Sequence, residues 1–116
     1  MPTKLGYSTY ALKMVDPFEA LPKIREIGYE AIEICLRNGW PTSPNEFDIS
    51  SQKSLSKLSE RLGFPSPIFF GSINVCSTEK SRDEMVKDTL KKFRMVRELH
   101  YDDTPILITT TPGNHA

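Results

Sequence analysis

Four short apolar stretches alternate along the chain with three segments of helical period, and this alternation limits the fold more than any other feature. The first stretch, residues 4–12 (KLGYSTYAL), is rich in Tyr, Thr and Leu and reads as a strand. Asp16-Pro17-Phe18-Glu19 then supplies an N-cap, a proline suited to the first helical position and a capping-box glutamate. Leu21, Ile24 and Ile27 follow at helical spacing, and Gly28 fits the residue that closes a helix. Pro22 inside this helix is expected to kink it or shorten its first turns. Residues 30–36 (EAIEICL) read as a second strand, followed by a long loop over 37–50 containing Gly39, Pro41 and Pro44. A second helix is predicted from about Ser51 to Leu62, with Leu55, Leu58 and Leu62 inward and Gly63 as its stop. After Pro65 and Pro67, IFFGSINV reads as a third strand. Ser81-Arg82-Asp83-Glu84 has the form of a capping box opening a third helix to about His100, with Val86, Leu90, Phe93 and Val96 on its buried face. Beyond Asp102, Asp103 and Pro105, ILITTT reads as a fourth strand.

The order is βαβαβαβ with short connections, which argues for an α/β fold with a parallel sheet and right-handed crossovers. Two architectures fit. In an open doubly wound sheet the central strands are covered on both faces and read as continuous apolar runs. In a (β/α)8 barrel the helices cover only the outer face, and the inner face turns polar near the mouth. The second strand has an apolar face of Ile32, Ile34 and Leu36 and a mixed face of Ala31, Glu33 and Cys35. The first and fourth strands alternate in a similar way. This pattern favours the barrel and directs Glu33 into its interior. A buried unpaired carboxylate costs several kcal/mol, roughly, so Glu33 must be solvated, paired or facing a polar cavity.

Composition narrows the function. The 116 residues suit a single domain spanning 1–116. Fifteen basic residues balance 15 acidic ones, so no basic excess exists to bind phosphate backbones, and a nucleic-acid partner is not expected. No apolar run reaches the roughly 18 residues of a membrane span, and the N-terminus has no apolar signal-peptide core. Cys35 and Cys76 lack metal-type spacing, and a reduced cytoplasmic setting is expected. The first strand-to-helix turn (Ala11-Leu12-Lys13-Met14-Val15) carries no Gly-rich fingerprint, so a Rossmann or P-loop nucleotide site is unsupported.

KLGYSTYAL, ALPKIREIGYEAIEICL and PILITTTPG together resemble the N-terminal half of a xylose-isomerase-like TIM barrel, in the sugar phosphate isomerase/epimerase group. Gly28, Tyr29, Ile32, Glu33 and Ile34 fill that family's pattern of helix, Gly, aromatic, two residues and an apolar-Glu-apolar strand. The resemblance covers nearly the whole chain. It implies about half of the barrel, and metal-dependent proton transfer beside the carbonyl of a small-molecule sugar substrate. The divalent metal belongs to the full-length family, where Glu, Asp, His and Glu of the later four strands hold it. No metal ligand is carried over to this chain, its catalytic residues are unknown, and the chain alone is expected to be inactive. Superfamily nucleases add His ligands at the ends of the third and fourth strands; here those ends read Gly71-Ser72-Ile73-Asn74 and Thr109-Thr110-Thr111. The alternative is a non-catalytic half-barrel that binds a partner or self-associates as a homo-oligomer, since open sheet edges invite pairing.

Glu33, Tyr10, Asn74 and Trp40 are the candidate substrate-binding residues. Glu33 accepts hydrogen bonds either from a sugar hydroxyl or within a structural polar network. Tyr10 lies near the end of the first strand, where barrel sites lie, and either lines a pocket or simply packs. Asn74 follows the third strand, as a hydroxyl-binding side chain or a loop cap. Trp40 and Phe47 in the long loop either wall a sugar site or tuck the loop onto the barrel. His100 reads as a dipole-favoured surface residue, and the charged third helix as a solvated face.

Overall fold

A computed structural model describes residues 4–74, 79–99 and 106–111, leaving aside the side chains of 73–74, 79–81 and 109–111. Cys76, His100 and His115 lie outside the described residues. The elements run β1 (Gly6–Ser8), a 3₁₀ turn (Thr9–Leu12), α1 (Pro17–Ile27), β2 (Ala31–Cys35), α2 (Ile49–Arg61), β3 (Ile68–Asn74), α3 (Glu79–Glu98) and β4 (Ile106–Thr111). The strands form one sheet in the order β1-β2-β3-β4, and every neighbouring pair is parallel.

Local chemistry sets the helix ends. The Asp16 carboxylate accepts from the Phe18 N–H at 2.9 Å, and Pro17 opens α1. Gly28 closes it at φ 118°, a left-handed conformation that favours glycine. Pro22 sits inside α1, yet the helix runs unbroken over 11 residues. Asp48 caps α2 through the Ser51 N–H at 2.8 Å, so this helix begins two residues ahead of the expected Ser51. β1 is shorter than expected, because the chain turns into the 3₁₀ turn at Thr9.

Sheet register separates two faces. Tyr7, Ile32, Ile34, Phe69 and Ile106 share one; Gly6, Ser8, Ala31, Glu33, Ile68, Phe70 and Leu107 share the other. Ile32, Ile34 and Phe69 are buried in one cluster with Leu21 and Ile24 of α1, Leu55 of α2, and Met95 and Val96 of α3. On the opposite face Ile68 is 43% exposed and Leu107 50% exposed. Among the described residues, the three helices therefore cover a single face of the sheet, and the other is uncovered along its middle.

The buried face of α3 differs from expectation. Val96 is buried as expected, but Val86, Leu90 and Phe93 are exposed, and Lys92 and Met95 are buried instead. The Lys92 stem lies over Gly71 of β3, where a Cβ would stand in ordinary contact with Lys92 Cδ at 3.6 Å. The ammonium then pairs with Asp88 at 3.1 Å. Asp88 also accepts from Asn45 at 3.0 Å, and Lys91 donates to Asn45 at 2.8 Å, tying α3 to the β2–α2 loop. Ser81 falls within the first turn of α3, since the helix already starts at Glu79.

One-sided packing has a measurable consequence. Phe69→Ala should cost about 3–4 kcal/mol in urea unfolding, as a large core deletion. Ile68→Ala, its neighbour on the uncovered face, should cost less than about 1 kcal/mol. Equal losses at the two positions would contradict a single covered face.

Candidate site at the C-terminal ends of the strands

The parallel strands bring all their C-terminal ends to one edge of the sheet. There the uncovered face becomes polar. Ser8 ends β1 and lies beside Glu33 of β2 in register. Its hydroxyl donates to Glu33 Oε1 at 2.6 Å and accepts from the Tyr10 N–H at 3.2 Å. The Glu33 carboxylate is thus paired by a neighbouring strand, and Ser8 also caps the 3₁₀ turn that carries Tyr10. Ser8 engages one Glu33 oxygen, and a carboxylate has acceptor capacity for further donors. Gly6, Ala31 and Ile68 complete a shallow solvent-open depression around this pair.

Cys35 ends β2 and is fully buried, although it shares the face of Glu33. Two threonines cover it. The Cys35 N–H donates to Thr9 Oγ1 at 2.8 Å, and the Thr42 hydroxyl donates to the Cys35 carbonyl. Thr42 in turn accepts, at its carbonyl, from Gln52 Nε2 of α2 at 2.7 Å. These bonds fold the loop after β2 back over the strand end. Burial pushes the Cys35 thiol up from its ordinary value, against a smaller lowering by the Arg37 backbone and charge.

An aromatic cluster sits on this loop. Trp40 is buried, and its indole N–H donates to the Tyr10 carbonyl at 2.8 Å. The Tyr10 ring stacks on it at 5.0 Å and meets Phe70 of β3 edge-on at 5.6 Å. Tyr10 remains 46% exposed and is the open ring of the group. Lys13 Nζ lies 4.7 Å from the Trp40 ring centre and Arg37 Cζ 5.2 Å from it. Phe47 takes the packing role, resting against the core and meeting Phe18 at 5.9 Å.

Of the candidate residues, Glu33, Tyr10 and Trp40 are brought to the same end of the sheet. Trp40 acts as a post around which the others are arranged, rather than an open wall. Asn74 occupies the last position of β3, opposite Thr111, and its side chain is outside the described residues. Lys13, Arg37, Phe70 and Thr42 were not evident from the sequence. Their only signal was position, within a few residues of a strand end.

What the arrangement can do follows from its groups. It offers a carboxylate acceptor, a hydroxyl, an exposed aromatic ring and two cations at one edge. The metal implied by the family resemblance finds no ligand set among the described residues, where no three His, Cys, Asp or Glu side chains gather to hold an ion. No described helix is long and apolar enough to cross a membrane. Comparison with family models, curated proteins and solved structures yields no significant match.

The buried thiol gives a pH test. A raised native pKa means that the folded state holds its proton more tightly than the unfolded chain does. The stability this contributes is present below the free-thiol value of 9.0 and lost as pH rises through the native value. Urea unfolding between pH 8 and 10.5 should therefore show a decline that Cys35→Ala reduces. An identical pH slope in the variant would contradict the burial of Cys35.

Proposed function

We propose that the chain forms four of the eight β/α units of a xylose-isomerase-like barrel, with the uncovered face as the barrel interior. In this reading the strand ends bind a sugar or similar polyol. The supporting observation is the sheet itself: four parallel strands in sequential order, helices on one face, and the Ser8–Glu33 pair on the other. A doubly wound sheet would place helices on both faces. Polar groups near the mouth of an otherwise apolar wall are what a barrel site requires.

Glu33 accepts a ligand hydroxyl, and Ser8 holds its carboxylate in place. Tyr10 offers an aromatic surface for the C–H face of a sugar ring. The family chemistry is isomerisation or epimerisation by proton transfer beside a carbonyl, and it needs acid–base groups and metal ligands from four further strands. The chain by itself is accordingly a binding half and not a complete enzyme. Calorimetric titration with a panel of aldoses and ketoses tests this. At least one should bind, and Glu33→Gln should weaken it by roughly tenfold, the worth of a hydrogen bond to a charged group. Metal-supplemented turnover by the 116-residue chain should be absent. Absence of any sugar binding, or efficient turnover, would contradict this reading.

The exposed Ile68 and Leu107 favour a second reading, a half-barrel that covers this face by self-association. Elution volume in size-exclusion chromatography would then shift with protein concentration. A monomer at all concentrations would remove that reading.

A further inference from the structure

We propose that the outer face of α3 docks a second copy of this chain, with the two α3 helices packed antiparallel about a two-fold axis at Leu90. This contact is independent of the sugar-binding reading. It uses neither the Ser8–Glu33 edge nor the uncovered face of the sheet, since α3 packs on the covered face.

The apolar pattern of α3 and its packing disagree, and the disagreement marks the surface. Asp83, Val86, Leu90, Phe93 and Arg97 follow one another at alternating steps of three and four residues, the spacing of a helix–helix seam. α3 turns a different face to the sheet, burying Lys92, Met95 and Val96. The seam is left in solvent: Val86 is 53%, Leu90 44% and Phe93 42% exposed. Three large apolar side chains in a row on one helix face make a contiguous patch, unlike apolar residues exposed singly. The patch continues onto the sheet, where Phe93 lines a groove with Ile106 and Ile108 of β4, the edge strand.

Charge identifies the occupant. The two ends of the seam carry opposite signs, with Asp83 before the apolar stripe and Arg97 after it, both exposed. Each stands seven residues from Leu90. A two-fold axis at Leu90 therefore sets Asp83 of one copy against Arg97 of the other at both ends of the contact, with Val86 against Phe93 between them. Among the described residues neither charge is held in an ion pair within its own chain, where the pair formed is Lys92–Asp88. Parallel pairing would instead bring like charges together. Antiparallel helix dipoles attract each other as well. A patch that complements itself in this way closes into a two-fold dimer and needs no other partner.

Sedimentation velocity of the intact chain over a range of protein concentrations tests this contact. The weight-average coefficient should rise toward that of a dimer and stop there; growth beyond a dimer would contradict a closed two-fold pairing. Leu90→Glu, a change at an exposed position, should abolish the rise while circular dichroism and the urea midpoint stay unchanged. Asp83→Arg and Arg97→Asp should each weaken association by roughly tenfold, since like charges then meet at both ends. An equimolar mixture of those two variants should associate again, because opposite charges meet in the mixed pair. Loss in both variants without recovery in the mixture would overturn the antiparallel arrangement. Association that survives Leu90→Glu but is lost in Leu107→Lys would overturn the α3 surface and move the contact to the uncovered sheet face. A monomer at every concentration would overturn the dimer and leave the sugar reading to its own titration.

Discussion

Packing of one sheet face against three helices is the interaction on which the rest of this structure depends. Ile32, Ile34 and Phe69 meet Leu21, Ile24, Leu55, Met95 and Val96 in a single cluster. Each fully buried side chain such as Phe69, Leu21 or Leu55 contributes roughly 2 kcal/mol relative to exposure. The period of two along a strand forces the consequence. With one face committed to the helices, every alternate residue faces away from them. Gly6, Ser8, Ala31, Glu33, Ile68, Phe70 and Leu107 are set there by register alone. The candidate site is in that sense a by-product of the core.

Hydrogen bonds then shape the end of that second face. Ser8 joins Glu33 to the 3₁₀ turn, and Thr9 and Thr42 hold the two backbone groups of Cys35. Trp40 ties the long loop back to Tyr10. The Ser8, Thr9 and Trp40 links join the segment after β1 to β2 and its loop, and Thr42 folds that loop back onto β2, so the loops that carry Lys13, Tyr10 and Arg37 are tied to strand ends. That arrangement suits a ligand site, since side chains held by several independent contacts need less ordering when a ligand arrives.

Much of this was legible in the sequence. The alternation of strand and helix periods, the Asp16–Pro17 start and the Gly28 and Gly63 stops all depend on local chemistry, and local chemistry is written residue by residue. The placement of Glu33 on the face opposite the core followed from its position between Ile32 and Ile34. Three things were not legible. The buried stripe of α3 depended on which of its side chains meet the sheet, with Lys92 lying over Gly71 of another element. The early start of α2 turned on which of several polar residues before it would serve as the cap. The meeting of Lys13 and Arg37 at Trp40 joins residues about 25 positions apart, through loops with no periodic pattern. Pairings of that kind depend on tertiary geometry, which one sequence does not display.

The central claim is that the sheet is covered by helices on one face only. Hydroxyl-radical footprinting of the dilute native protein, read by mass spectrometry, tests it most directly. Ile68 and Leu107 should be oxidised readily, while Ile34 and Phe69 should be protected until the chain unfolds. Equal protection of all four would mean that the second face is covered as well, and would contradict the account.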